Sequence, residues 1–162
     1  MSATAQAVQA QMPRLPAVGV FAPQKGNIDY FVYPFLVASL TFAAGANGPT
    51  ATINQQISTD SDFYWTGTTY QTDLATAAQT NASRVVPAVT VQIIDQGANR
   101  QLHNAPVPVA TVAGYGNEPH RLVHPRMFTR GSTITVVLFN YSTVENYTNL
   151  YLVLEGFKIY SL

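Results

Sequence analysis

Apolar and polar residues alternate along the last thirty positions of the chain. Every second residue is a large aliphatic one in 134–138 and again in 150–154. A period of two places one set of side chains on one face of a strand, so both segments are predicted strands. Residues 140–148 between them are rich in Asn, Ser and Thr, which favour exposed turns. The simplest prediction is a long antiparallel pair that ends the chain.

The same analysis predicts shorter strands upstream, separated by turn residues about every ten positions. This spacing is typical of an antiparallel β-sandwich or jelly roll. Pro34 suggests either an edge position or a strand that begins after it, because proline cannot donate a ladder hydrogen bond. We predict one helix over residues 72–82 and a loop rich in Gly and Pro over residues 113–125. The predicted strands lie in residues 30–42, 50–58, 63–70, 85–95 and 102–112.

Residues 1–26 lack a clear period and contain three prolines, so we predict an extended N-terminal arm ahead of an all-β domain at residues 27–162. The first twelve residues carry no charged side chain. A disordered tail is the alternative. We expect the arm to dock on neighbouring chains through its apolar residues, which are Leu15, Val18, Val20 and Phe21.

The composition is unusual for a soluble domain of 162 residues. Apolar residues make up 47% of the chain and charged residues only 10%, whereas ordinary domains contain roughly 25% charged residues. The nine Tyr, eight Phe and one Trp are types that are enriched at interface centres, where charge is depleted. We therefore expect neighbouring subunits to cover part of the surface, and we predict a homo-oligomer.

The formal net charge is zero and the basic residues are scattered. This pattern predicts neither nucleic acid nor an anionic membrane as a partner. The chain contains no cysteine, which fits synthesis in a reducing cytoplasm. A signal peptide and a membrane span are not indicated by the sequence. We expect a protein made in a reducing cytoplasm.

Candidate catalytic and metal-binding residues each have a structural interpretation. His120 and His124 would share one face of a helix, as in some metal sites, but flanking prolines make a helix unlikely to form there. Asp60 and Asp62 flank a predicted turn, where Asp bonds its own backbone. No nucleophile elbow or phosphate-binding loop is present. We predict no catalytic residue, no metal and no cofactor, and hence not an enzyme.

Aromatic residues offer another candidate site. Tyr64, Tyr70 and Tyr115 are predicted surface aromatics, and together with Trp65 they could stack on sugar rings. In an all-β chain, however, alternating aromatics are more often part of the core, which would place Phe63 and Trp65 inside and Tyr64 outside. Glycan binding therefore remains an alternative.

Short signatures follow one another in a recognisable order in residues 50–160. They are Asp60-Ser61-Asp62-Phe63-Tyr64-Trp65, Val91-Gln92-Ile93-Ile94-Asp95 with Arg100 and Leu102, Pro106-Val107-Pro108, Pro119-His120-Arg121-Leu122, Gly131-Ser132, Asn140 and Leu154-Glu155-Gly156-Phe157-Lys158-Ile159-Tyr160. In this order they resemble a family of small virion proteins, the capsid decoration (cement) proteins of tailed bacteriophages. This resemblance implies a jelly-roll-like domain that sits as an oligomer on the outer capsid surface and locks capsomers together.

The functional hypothesis is therefore a structural virion protein. Its expected partners are the major capsid protein and further copies of itself, with a homotrimer as the expected assembly. A cement protein stabilises a shell because it binds the assembled state in preference to the free parts. The alternative is a receptor- or glycan-binding β module of a phage fibre or spike.

Overall fold

The computed structural model describes residues 26–41, 50–77 and 84–161, which form two packed antiparallel sheets. The longer strands are β1 (Gly26–Leu40), β2 (Thr50–Gln56), β3 (Asp62–Leu74), β4 (Val89–Asp95), β8 (His120–Phe128), β9 (Thr133–Asn140) and β10 (Tyr147–Ser161). The shorter elements are β5 (Arg100–Gln101), β6 (Val107–Pro108), the helical turn α1 (Val109–Val112) and β7 (Gly114–Tyr115).

Early strands pair with late strands throughout the fold. In the first sheet the order is β1-β10-β3, and β3 also pairs with β8 and with the short parallel strand β7. In the second sheet the order is β2-β9-β4, and β4 also pairs with β5 and β6. This nested pairing is the strand order of a jelly roll. The predicted fold class, an all-β antiparallel sandwich of jelly-roll type, is confirmed.

The core lies between the two sheets and is built from the alternate residues of each long strand. In β4 the buried positions occur at every second residue, as the period of two requires. Burial of one such aliphatic or aromatic side chain stabilises the fold by about 1.5–3 kcal/mol. The fully buried core includes Phe35, Phe63, Val91, Ile93, Phe128, Ile134, Val136, Leu138, Leu152 and Leu154.

The predicted pairing of the last two strands is wrong. Strand β9 pairs with β2 and β4 in the second sheet, whereas β10 pairs with β1 and β3 in the first. Asn140 lies at the crossover and is 1% exposed. Its side chain donates to the carbonyl oxygens of Leu40 at 3.2 Å and Glu145 at 3.0 Å. In opposite sheets, β9 and β10 each gain two neighbouring strands and still direct one face into the core.

Two further segments differ from the prediction. The predicted helix at 72–82 is wrong over residues 72–77, because β3 continues to Leu74 and a turn follows; residues 78–83 lie outside the described part. Thr72 is fully buried in this strand extension, so tertiary pairing overrides a weak helical preference. The predicted loop at 113–125 contains β7 and most of β8. Strand β8 pairs with β3 along the edge opposite to the one that pairs with β10.

Two further predictions concern the N-terminal arm and the position of Pro34. The predicted arm, with Leu15, Val18, Val20 and Phe21, lies outside the described residues, apart from Gly26, which begins β1. Pro34 lies in β1, which pairs with β10 alone among the described strands. The predicted edge position of this proline is therefore confirmed.

Candidate interaction surface

Strand β1 has apolar side chains on both of its faces. Tyr33 and Phe35 point into the core. The even-numbered residues from 28 to 36 point outward, and Ile28, Tyr30 and Leu36 are 64%, 70% and 46% exposed. Large apolar side chains on an outward strand face are normally replaced by polar ones when that face meets only water. This strand therefore presents a surface suited to contact with another molecule.

A row of large side chains crosses all four long strands of the first sheet. The register places Tyr30 beside Phe157, Phe157 beside Tyr64, and Tyr64 beside Met127. The rings of Tyr64 and Phe157 stack in parallel, with centroids 5.1 Å apart and planes 3° apart. Such aromatic pairs contribute about 0.5–1.5 kcal/mol beyond the area they bury. The row is thus ordered by contacts within the sheet.

We call this surface the outer apolar face. It extends over about 26 Å from Ile28 to Leu36 and over about 14 Å across four strands, from standard strand dimensions. Its footprint of roughly 370 Å² lies within the range of the largest apolar patches on monomers, which are often functional. Its members are Ile28, Tyr30, Val32, Leu36, Tyr64, Met127, Tyr151, Val153, Phe157 and Ile159.

The charges near the centre of the outer apolar face neutralise each other. Arg121 Nη1 lies 3.3 Å from Glu155 Oε2, and the Glu155 side chain is only 12% exposed. Burial, and then the negative charge of Glu155, raises the pKa of the Tyr30 hydroxyl above its usual value. Tyr30 is therefore an uncharged ring at physiological pH. A paired carboxylate and guanidinium add little repulsion against an approaching apolar surface.

The edge of the sheet is less suited to association than its face. Pro34 lies near the middle of β1 and has no N–H to donate to an added strand. Proline on an edge strand is one of the devices that oppose strand addition. We therefore assign association to the outer apolar face and not to the free edge of β1.

The three predicted surface aromatics do not form one platform. Tyr64 is half-buried and belongs to the outer apolar face. Tyr70 is 2% exposed, so its prediction as a surface residue is wrong; it belongs to the core. Tyr115 is half-buried and packs edge-on against Tyr70, with centroids 5.7 Å apart. The parallel pairing of β7 with β3 brings these last two rings together, which the sequence alone did not indicate.

The main members of the face were not identified from the sequence. Tyr30, Val32 and Leu36 belong to an apolar run that was interpreted only as a strand. A strand that is apolar at odd and even positions alike is buried on both faces in a complete assembly. The lack of alternation between apolar and polar residues in this strand was the signal from which the outer apolar face could have been predicted.

The candidate metal and acid/base residues lie in separate structural settings. His120 and His124 are on β8, where a spacing of four residues corresponds to about 13 Å. Asp62 Oδ1 accepts a hydrogen bond from the backbone N–H of Arg130 at 2.8 Å. Asp60 Oδ1 lies 3.3 Å from the ammonium group of Lys158. Within the described ranges, no group of three or more His, Cys, Asp or Glu side chains is arranged to hold a metal ion.

Lys158 is an unusual buried cation on the face of β10 that points into the core. Its side chain is 2% exposed, and its ammonium group contacts Ser58 Oγ and lies 3.9 Å from the ring centroid of Phe31. Burial opposes the charge, but Tyr33 and Asp60 outweigh this effect and raise the pKa of Lys158 above its usual value. The cluster ties β1, the β2–β3 connection and β10 together and therefore has a structural role.

No protein-family model matches the chain, and no curated protein matches it. Among the residues that the structure describes, no helix is long and apolar enough to cross a membrane. The findings establish an all-β sandwich whose first sheet carries an exposed apolar face.

Proposed function

We propose that this protein is a non-enzymatic structural component that assembles through the outer apolar face, and that it serves as a capsid decoration protein of a tailed bacteriophage. The observation that carries the assembly role is the exposed row Tyr30-Phe157-Tyr64-Met127 in a chain with only 10% charged residues. The virion role is supported by the ordered signatures in residues 50–160. Jelly rolls occur in viral capsid proteins, although a fold by itself does not determine function.

The occupant that we assign to the outer apolar face is a second copy of the chain. Removing the footprint of roughly 370 Å² from water contributes at most about 9 kcal/mol per subunit at 25 cal/mol per Å², an upper bound because Arg121 and Glu155 lie within it. Loss of translational and rotational freedom costs about 4–15 kcal/mol. One such face therefore supports a moderate association, which a closed oligomer or a shell strengthens by adding contacts. Symmetric homo-oligomers are the most common solution.

The contact with the shell is assigned to the N-terminal segment. Residues 1–25 are joined to the first residue of β1, which borders the outer apolar face. This segment contains only two charged residues, Arg14 and Lys25. An extended peptide of this kind can bind a neighbouring protein through backbone hydrogen bonds and apolar anchors. A trimer would present three such segments to the major capsid protein.

The assembly role is tested by the solution mass of the full-length protein, measured by light scattering coupled to size exclusion. We expect a stable oligomer, with a trimer as the specific expectation. Tyr30→Glu and Leu36→Glu place a charge on the face at exposed positions and should yield monomers that remain folded. Val144→Glu is the matched control, since Val144 is 72% exposed in the β9–β10 connection. A monomeric wild-type protein, or variants that associate as the control does, would refute the assembly role.

The virion role needs a separate assay, co-sedimentation of the protein with purified phage heads. Saturable binding that increases the resistance of the heads to heat is the expected result. An oligomer that shows no binding to heads would refute the decoration role while leaving the assembly through the outer apolar face intact. The two parts of the proposal therefore fail independently.

A further inference from the structure

A cleft of about 580 Å³ opens between the two sheets, where the β4–β5 hairpin approaches β8. Its size is within the range of small-molecule sites. The lining combines residues of both sheets, which are brought together from positions 65 to 127 of the chain. The polar and charged side chains of this lining are Asp95, Arg100, His103, His124 and Arg126.

The cleft concentrates the few basic groups of the protein. The whole chain has eight Lys and Arg residues and three His residues, and two of each group line this one cleft. Asp95 is 3% exposed and accepts a hydrogen bond from the Ala98 N–H at 3.1 Å. Its other oxygen lies 3.9 Å from Arg126 Nη2. Asp95 therefore balances one guanidinium, and the second, on Arg100, leaves the cleft cationic.

Two buried polar atoms in this lining have no partner among the described residues. They are Arg126 Nε and His103 Nδ1. Buried polar groups are nearly always hydrogen-bonded, so each such atom calls for an explanation. Burial lowers the pKa of His103, so its imidazole is neutral at physiological pH. Because both atoms are themselves buried, a ligand in the cleft would first meet the exposed part of the Arg126 side chain, which is 34% exposed.

The aromatic residue of the cleft offers a ring surface but no free donor. Trp65 Nε1 donates to the carbonyl oxygen of Gly67 at 2.8 Å and lies 3.1 Å from Thr68 Oγ1. Leu102 and Leu122 extend the apolar part of the lining. A ligand would therefore meet both charged donors and hydrocarbon in the lining.

We propose that this cleft binds a small molecule in which one carboxylate is attached to a group with an apolar surface. The guanidinium of Arg126, whose side chain is 34% exposed, offers its terminal N–H groups to a carboxylate oxygen, a charge-assisted hydrogen bond that Arg makes with favourable geometry. A single negative charge matches the excess positive charge that Asp95 leaves uncompensated. This binding role is independent of assembly through the outer apolar face.

The test is isothermal titration calorimetry of the full-length protein, with Trp65 fluorescence as a second readout. The probes are glucuronate and 3-phenylpropionate, which carry the carboxylate on a sugar and on a hydrocarbon. Glucose and 3-phenylpropionamide are their neutral counterparts. We expect saturable binding of at least one acid and none of its neutral counterpart. The acid that binds more tightly shows whether the cleft accepts a sugar ring or a hydrocarbon next to the carboxylate.

Variants distinguish this site from non-specific binding. Arg126→Gln should weaken the binding of the acid by at least about tenfold, the usual effect of losing a charge-assisted hydrogen bond. Arg130→Gln, outside the lining, is the matched control and should bind as the wild type does. If Arg126→Gln fails to fold, Arg100→Gln at an exposed lining position replaces it. Lack of binding by both acids, equal binding of a neutral counterpart, or unchanged affinity in the folded lining variant would overturn the proposal.

Discussion

Gly156 lies where β10 and β3 approach most closely, and its replacement by alanine tests the packing of the first sheet. A Cβ at this position would lie 2.8 Å from Phe63 Cε2 and 2.9 Å from the carbonyl carbon of Tyr64, and closer still to the Tyr64 oxygen. Ordinary contacts of a Cβ begin near 3.4 Å. The Tyr64 atoms belong to the backbone of the neighbouring strand and cannot rotate away. The two central strands would have to separate.

The size of the effect follows from that separation. A shift of about 0.5 Å or more at the carbonyl carbon stretches the ladder hydrogen bonds beside Gly156 beyond the limit of about 3.2 Å for a normal N–H···O bond. Weakening two of them costs about 1–3 kcal/mol, and overpacking adds about 1–3 kcal/mol. We expect Gly156→Ala to reduce the free energy of unfolding by about 2–6 kcal/mol, a large share of the stability of a typical domain.

Trp65 provides the assay for this prediction. It is the one tryptophan of the chain, is 5% exposed, and is the register partner of Gly156 on β3. Urea unfolding followed by its fluorescence gives the free energy from the transition midpoint and slope. All variants should be compared at one protein concentration, because self-association would add to the apparent stability.

Gly116→Ala is the matched control. Gly116 has a φ of 52°, and a Cβ there would have no neighbour within 4 Å. Its replacement should cost about 1–2 kcal/mol, the penalty for a left-handed backbone at a non-glycine residue. A Gly156→Ala protein that is as stable as the Gly116→Ala protein would refute the close approach of β10 and β3.

Two further predictions concern polar groups. Asn140→Ala removes the donor to three backbone carbonyl groups and should cost about 2–3 kcal/mol in urea unfolding; a loss as small as that of the exposed control Asn104→Ala would contradict it. The hydrogen bond from Ser58, and then Lys158, lower the pKa of Asp60, so its contribution to stability should be present above about pH 3.8 and lost as the pH falls further. The pKa of Lys158 is raised, so its contribution should persist below about pH 10.5 and disappear as the pH rises. The free energy of unfolding, measured across pH, should decrease both at low pH and at high pH. Asp60→Asn should remove the decrease at low pH, and an unchanged pH dependence in this variant would count against the ion pair.

The sequence by itself determined the class of the fold and the shortage of charge. Alternation with a period of two is a property of neighbouring residues, so the strands at 134–138 and 150–154 could be assigned without knowledge of their partners. Pro34 likewise indicated an edge strand, because the lack of a backbone N–H is a property of the proline residue itself. The continuous apolar run of β1 held the signal for the outer apolar face.

The pairing of the strands depends on tertiary contacts. β9 and β10 lie next to each other in the chain but in opposite sheets, because strand pairing depends on contacts between residues far apart in sequence. Tyr70 belongs to the core beside Leu152 and also packs against Tyr115 of β7. Asp95, His103 and Arg126 converge for the same reason, since the cleft forms where two sheets meet. Side chains whose neighbours are distant in the chain carry no local pattern from which their surroundings could be predicted.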